Sequence, residues 1–299
     1  MATHIAIEAI KPSQWFQTFF LATAVAIVAV HLLPRHFQQR LLQYGARGSD
    51  PVRRHGGTSL TSLLLDAHVP HAWFWHFYLV SVCWSAVWAW QYLTRGALMG
   101  ALARAQNAPS TELGRVYLAW AMLAAQGCRR LFECFFVLRP GSSPMAWTHW
   151  LLGLVYYTLV NLIVWIHNSG AILASWTSPE PVVLLTPRGL LALPVFLAAS
   201  LGQNHCHHHL ANLPKYTLPC EGLFRRLICP HYTCECVIYL AIAFVSAPPG
   251  SLFNPSLLCV LAMVLANLGA TARDTERWYE QKFGRDKVAG RWKMIPFIY

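Results

Sequence analysis

Four short stretches put titratable side chains where apolar residues dominate. The first is Arg129-Arg130-Leu131-Phe132-Glu133, inside an apolar run from about Val116 to Val137. Arg130 and Glu133 are three apart, so on a helix they share a face and can pair. Two arginines with one acid leave positive charge over, and hydrocarbon does not solvate it. A buried structural ion pair and an anionic ligand are both open readings. The second stretch is Gln203-Asn204-His205-Cys206-His207-His208-His209, with Asn212 beyond it. Imidazoles four apart, such as His205 and His209, can share a metal. Histidine-box metal enzymes need several such runs, however, and this chain has one. Donors to a phosphate or ribose at a polar helix end are the better reading, and no metal is expected. The third is Cys229-Pro230-His231-Tyr232-Thr233-Cys234-Glu235-Cys236, whose spacings make no clean pair of zinc-type Cys-x-x-Cys motifs. Glu235 opens an apolar helix there, as a dipole-favoured acid or an acceptor for ligand hydroxyls and amides. The fourth is His76 with Tyr78, in an aromatic run from Trp73. A lone histidine among aromatics is either a satisfied packing residue or a catalytic one.

The elements that must position these groups are membrane helices. Of 299 residues, 56% are hydrophobic and 12% charged, against about 25% charged in soluble domains. Spanning a bilayer core takes about 20 apolar helical residues. Uncharged or nearly uncharged runs occur at Trp15 to Leu33, Ala72 to Tyr92, Val116 to Val137 and Ala146 to Ile166. A fifth starts at Gly189 and fades after Gly202, and Cys236 to Ala272 should break at Ala247-Pro248-Pro249-Gly250 into a sixth and a seventh. The expectation is an all-α polytopic protein of about seven transmembrane helices forming one membrane domain over 1–299. Residues 95–114 and 168–188 read as connections, and 34–71 as a polar loop.

Lysine and arginine concentrate after the first and fifth spans and in the tail from Arg273, with Arg139 after the third on the same side. The opposite side holds Lys11, Arg95, Arg104, Arg115 and Arg188. The positive-inside rule therefore puts the N-terminus in the lumen and the C-terminus in the cytosol. The net charge of +11 follows from cytosolic loops beside anionic membrane lipids, with no nucleic-acid motif to suggest another partner. The apolar ending Met294-Ile295-Pro296-Phe297-Ile298-Tyr299 should return to the membrane or pack on the helices. Neither a Gly-x-Gly-x-x-Gly nor a P-loop motif is present, so any nucleotide must bind within the membrane fold.

Several stretches together carry a resemblance. They are Val69-Pro70 with Trp75-His76-Phe77-Tyr78, Arg129-Arg130-Leu131-Phe132-Glu133-Cys134, and Gly153-Leu154-Val155-Tyr156-Tyr157. The Gln203 to Leu213 run, Tyr232 to Tyr239, Arg277-Trp278-Tyr279-Glu280-Gln281-Lys282-Phe283 and the Ile-Pro-Phe ending complete the set. The chain resembles the steroid 5-alpha-reductase family of seven-helix NADPH enzymes, and most of all its polyprenol-reducing branch. The resemblance implies a reductase of the endoplasmic reticulum membrane that saturates the α-isoprene unit of a long-chain polyprenoid lipid. Its N-terminal helices would take substrate, and 116–299 would bind NADPH. Arg130 and Arg139 would meet phosphates. Gln203, His207 and Asn212 would line the cofactor cavity, with His231, Tyr232 and Glu235 facing it. Arg277 and Tyr279 would help to close it. The steroid enzymes of the family carry Gln-Glu in the second span and a tyrosine just before the third-span arginine. Here His76 and Tyr78, and Gln126 or Gly127, stand in those regions.

Such enzymes add hydride to the β-carbon of a C=C conjugated to a carbonyl, and the carbonyl oxygen gathers negative charge. A fixed donor there is required: His76, Tyr78, or Glu133 if protonated. An allylic alcohol has nothing to stabilise a carbanion, so the conjugated aldehyde is the expected direct substrate. Other readings are a steroid or fatty-acyl enoyl reductase of the same family, a membrane S-adenosylmethionine methyltransferase, and a seven-helix receptor or transporter.

Overall fold

Four helices open on proline, at Pro12, Pro187, Pro230 and Pro255. In the first turn the missing N–H costs nothing and the fixed φ suits the helix. Side chains complete two of these starts. The Thr186 hydroxyl accepts from the Gly189 amide at 3.2 Å, and the Asn254 carbonyl oxygen accepts from the amides of Ser256 and Leu257.

The computed structural model describes residues 10–33, 67–139, 144–178 and 181–299. In chain order its α-helices are α1 (Pro12–Leu32), α2 (Trp75–Leu93), α3 (Ala97–Gln106), α4 (Leu113–Phe136), α5 (Trp147–Ile166), α6 (Ser169–Thr177), α7 (Pro187–Asn212), α8 (Pro230–Val245) and α9 (Pro255–Phe283). A two-stranded antiparallel ribbon pairs β1 (His68–Pro70) with β2 (Pro144–Ala146), His68 opposite Ala146. The protein is thus nearly all helical. Seven of the described helices have sixteen or more residues, and each overlaps one of the apolar runs of the sequence. Three of them, α1, α5 and α9, are long and apolar enough to cross a membrane by length and composition. The other four owe their lower hydropathy to identifiable residues: the Trp, Tyr and Ser of α2, the Arg-Arg-Glu of α4, the histidine run of α7, and the shortness of α8.

Two segments read as connections contain helices, α3 and α6, which pack on each other. The fifth run also differs from expectation. Instead of fading after Gly202, α7 continues through the histidines to Asn212. Gln203, Cys206 and His207 lie on its buried face, so a polar composition there marks an inward-facing stripe. The break at Pro248-Pro249-Gly250 is present between α8 and α9, with Gly250 at φ 77°. The loop arginines Arg35, Arg40, Arg47, Arg53 and Arg54 lie outside the described residues.

The core joins α1, α4, α5, α7, α8 and α9 around Phe20, Met122, Ile163, Phe196, Ile242 and Leu257. α7 packs along α8, α1 along α9, and α2 against α4 and α5. The tail packs on the helices as expected. Trp292 N donates to Arg226 O at 2.9 Å, Ile228 N to Trp292 O at 2.8 Å, and Cys229 N to Lys293 O at 2.9 Å. The Tyr299 hydroxyl donates to Gly269 O at 3.2 Å.

The α2–α5 contact sets one wall of the site. A Cβ on Gly153 would lie 2.5 Å from Phe77 Cε1 and under 3 Å from two more ring atoms, and Phe77 is buried. Gly153→Ala should therefore push the helices apart at a cost of about 1–3 kcal/mol, seen as a lowered thermal midpoint in detergent. An unchanged midpoint would mean that Phe77 has room to move.

Candidate active site

One cavity of about 190 Å³ gathers most of the chemistry-bearing residues. Its aromatic and aliphatic lining comes from α2, α5 and α9: Phe77, Tyr156, Tyr157, Met263, Val264 and Leu268. Its polar lining comes from α4, α7 and α8: Arg130, Gln203, His207, His231, Tyr232 and Glu235. Tyr78 of α2 lines it too. A larger, more open groove of about 600 Å³ lies near the other ends of α2 and α4, among Ala89, Tyr92, Tyr117, Ala121, Trp165 and Leu184. Its tyrosine hydroxyls are spent locally, since Tyr117 donates to Tyr92 at 2.6 Å and Tyr92 lies 3.0 Å from the Ser175 hydroxyl. The groove has shape without reactive groups, so the chemistry belongs to the smaller cavity.

Behind the polar side lies a charge network built on Glu133, which has no exposed surface. Its carboxylate pairs with both Arg129 and Arg130 and accepts from Asn204 Nδ2 at 2.7 Å. His207 Nδ1 lies 2.7 Å from both Glu133 Oε2 and Arg130 Nη1; protonated there it donates to the acid, and unprotonated it accepts from the guanidinium. Both arginines share the acid because 129 and 130 flank one helix face at spacings of four and three from 133. Glu133, read from the sequence as a donor if protonated, is not among the cavity-lining residues; its oxygens face Arg129, Arg130, Asn204 and His207.

Arg130 turns its other nitrogens on Tyr78. Nε and Nη2 donate to the Tyr78 oxygen at 3.1 and 2.9 Å, and the guanidinium carbon lies 4.8 Å from the ring centroid. With its lone pairs engaged, the Tyr78 hydroxyl has its proton left to give. Phe74 and Tyr157 hold the ring edge-on, at centroid distances of 5.7 and 5.4 Å. A second chain of hydrogen bonds starts at Gln126, whose Nε2 donates to Gln203 Oε1 at 2.9 Å and to Glu235 at 3.2 Å. Gln203 Nε2 donates to Glu235 at 2.5 Å and Arg129 donates to Gln203. Planar amide and carboxylate edges are thereby lined up at the cavity.

Among the residues singled out by sequence, Tyr78, Arg130, Gln203, His207, His231, Tyr232 and Glu235 meet in this cavity. Others do not. His76 accepts from Trp150 Nε1 at 3.2 Å and sits against Trp73 and Trp75. Two residues from Tyr78, it points about 200° away around the helix and is not among the cavity-lining residues. Arg139 and Asn212 are exposed at helix ends. Arg277 is half-exposed beside Asp274, and Tyr279 packs with Ile228, Val288 and Met294 under the tail. His205 is exposed, and His209 lies 3.7 Å from Glu221. Among the described residues no group of three His, Cys, Asp or Glu could hold a metal. Sequence reasoning missed His149 and Asn267, which also line the cavity. For Asn267 a signal existed: it is a lone amide in an apolar helix.

Dinucleotide phosphates need buried donors. The Nε atoms of Arg129 and Arg273 are buried without a hydrogen-bond partner, and such orphaned donors fit an anionic ligand.

Residues 145–299 match the family model described as 3-oxo-5-alpha-steroid 4-dehydrogenase. That segment begins at β2 and takes in α5 and α7–α9. The polyprenal reductase of Saccharomyces cerevisiae is 28% identical, over 94% of this chain and 92% of its own. That of Xenopus tropicalis is 31% identical, over 77% of this chain and 80% of its own. Polyprenal reductase 2 of Oryza sativa subsp. japonica is 24% identical over 95% of both chains. Matched from Met145 to Tyr299 and aligned with these reductases over most of its length, the chain belongs to the steroid 5-alpha-reductase family.

Proposed function

We propose that this protein is a multi-pass reductase of the endoplasmic reticulum membrane that uses NADPH to saturate the α-isoprene double bond of a long-chain polyprenal. The product, dolichal, would feed dolichol synthesis and protein N-glycosylation. The observation that carries the reading is a cavity lined both by aromatic and aliphatic side chains, suited to an isoprenoid, and by polar ones, suited to a nicotinamide, with Tyr78 among them. The names of the curated relatives support the aldehyde as acceptor. So does the chemistry, because hydride addition to an allylic alcohol puts charge on a carbon that nothing stabilises.

When bound, NADPH supplies the hydride. The chain's own residues do the rest. Tyr78, aligned by Arg130, gives a hydrogen bond to the aldehyde oxygen as charge develops there, the kind of interaction that contributes most to such reactions. Glu133 holds Arg130 and His207 in place. Glu235, held by Gln126 and Gln203, would offer its carboxylate as acceptor to the amide of the nicotinamide carboxamide, with His231 and Tyr232 beside it. Small-molecule sites are commonly about 300–1,000 Å³, so a cavity of about 190 Å³ encloses only the two reacting ends. The remainder of the cofactor would extend toward Arg139, Asn212, Arg273 and Arg277, with Tyr279 supporting the tail over it. The isoprenoid chain would leave sideways into membrane lipid. The seven long helices would each span the bilayer, N-terminus lumenal and C-terminus cytosolic, in keeping with the arginine and lysine distribution. The whole chain would act as one reductase domain, α2 supplying the donor and α4 to α9 most of the cofactor contacts.

The test is purified protein in lipid vesicles with NADPH and, separately, polyprenal, polyprenol, a 3-keto-4-ene steroid and an enoyl-CoA, with products read by mass spectrometry. The steroid belongs in the panel because of the family description. Polyprenal should gain two hydrogens and polyprenol none. Reduction of polyprenol with no detectable aldehyde would overturn the carbonyl argument. Reduction of the steroid or enoyl-CoA alone would reassign the substrate, and no reduction by folded protein would sink the reading.

A further inference from the structure

We propose that Asn267 is a second hydrogen-bond donor to the substrate's aldehyde oxygen, acting alongside Tyr78; this rests on the polyprenal reading above. Between Leu257 and Ala272 the polar side chains of α9 are Asn267 and Thr271. Thr271 donates back to the Asn267 backbone carbonyl at 3.0 Å, a helix-internal solution. The Asn267 amide, in contrast, makes no hydrogen bond to any described residue, and it lines the cavity. The side chain is part-buried within an otherwise apolar stretch, and a polar group at such a place in a membrane helix marks a ligand contact.

The ligand follows from the neighbours. Met263, Val264 and Leu268 of the same helix line the cavity with hydrocarbon, the chemistry of an isoprenoid. The one polar atom of a polyprenal is its aldehyde oxygen, and one amide on that wall matches it. On the reading above, the nicotinamide carboxamide would be met by Glu235, held by Gln203. As hydride bonds to the β-carbon, the electron pair of the C=C bond moves to form the enolate, and its charge rests on that oxygen. The α-carbon then takes a proton derived from solvent, restoring the aldehyde. The oxygen can accept two hydrogen bonds, and both strengthen in the transition state.

The experiment compares wild type, Asn267→Leu and Asn267→Gln, each purified in lipid and shown to elute as wild type does. The readouts are kcat with polyprenal and KM for NADPH. Wild-type reduction of polyprenal is the control, and its absence would fell the substrate reading, leaving the role of Asn267 a separate matter. Asn267→Leu should lower kcat about 100-fold with KM for NADPH within about twofold of wild type. Asn267→Gln, which keeps the donor, should recover at least about tenfold of that loss. Wild-type kcat in the leucine variant would overturn the proposal. So would a raised KM for NADPH with kcat preserved, which would assign the amide to the cofactor. A glutamine variant as slow as the leucine one would also overturn it. Should the leucine variant not elute normally, Asn267→Ala takes its place under the same criteria.

Discussion

Glu133→Ala is expected to leave little folded protein. The carboxylate has no exposed surface and holds Arg129, Arg130, His207 and Asn204 at once. Removing it leaves two guanidinium groups, one of them fully enclosed, without their counter-charge. Breaking a buried pair from one side costs about 3–5 kcal/mol, against a total stability that is commonly about 5–15 kcal/mol. The measurement is the monodisperse fraction after extraction in detergent, with its thermal midpoint. Glu133→Gln keeps the acceptor oxygen and the shape, and should fall between alanine and wild type. An alanine variant with a wild-type midpoint would show that the network does not hold the helices together.

Tyr78→Phe should act on turnover instead. The ring stays packed between Phe74 and Tyr157, so the helix contacts survive. Its hydroxyl is lost, and with it the proton offered to the aldehyde oxygen. Loss of one such donor lowers kcat by about 10²–10³. Arg130 also loses the acceptor for Nε and Nη2, an added cost to stability of about 1–3 kcal/mol. KM for NADPH should change by less than about threefold, since a transition-state interaction does not contribute to ground-state binding. A phenylalanine variant within twofold of wild-type kcat would remove Tyr78 from the mechanism. A change confined to NADPH binding would move it to the cofactor site.

Much of the architecture was legible before any coordinates. Long apolar runs and the Pro-Pro-Gly break located roughly where each long helix begins, because those signals are local, although α9 runs past the end of its apolar stretch at Ala272 to Phe283. The exceptions share one cause. At α7 the composition turns polar after Gly202, yet the helix continues to Asn212 because Gln203, Cys206 and His207 recur on one buried face. A hydropathy window averages around the helix and cannot register which side a polar residue occupies. Helices α3 and α6 were hidden for a related reason: each is short, and its stability comes from packing on the other.

Within the site, the sequence by itself determined which residues were costly to keep in an apolar segment. Arg129, Arg130, Glu133 and the Gln203 to His209 run stand out because charge and dipole in hydrocarbon need partners. The identity of those partners was a matter for the tertiary structure alone. Tyr78, Arg130 and His207 are far apart in sequence and are brought together by the packing of α2, α4 and α7, on which residue spacing is silent. Packing also set the Asn267 amide toward the cavity, whereas helix spacing alone separates His76 from Tyr78 and gives both arginines to Glu133. Local periodicity dictates where a helix forms and which residues share its face. The direction that face takes depends on how all the helices bury their apolar surfaces together, a property of the assembled bundle that no single segment contains.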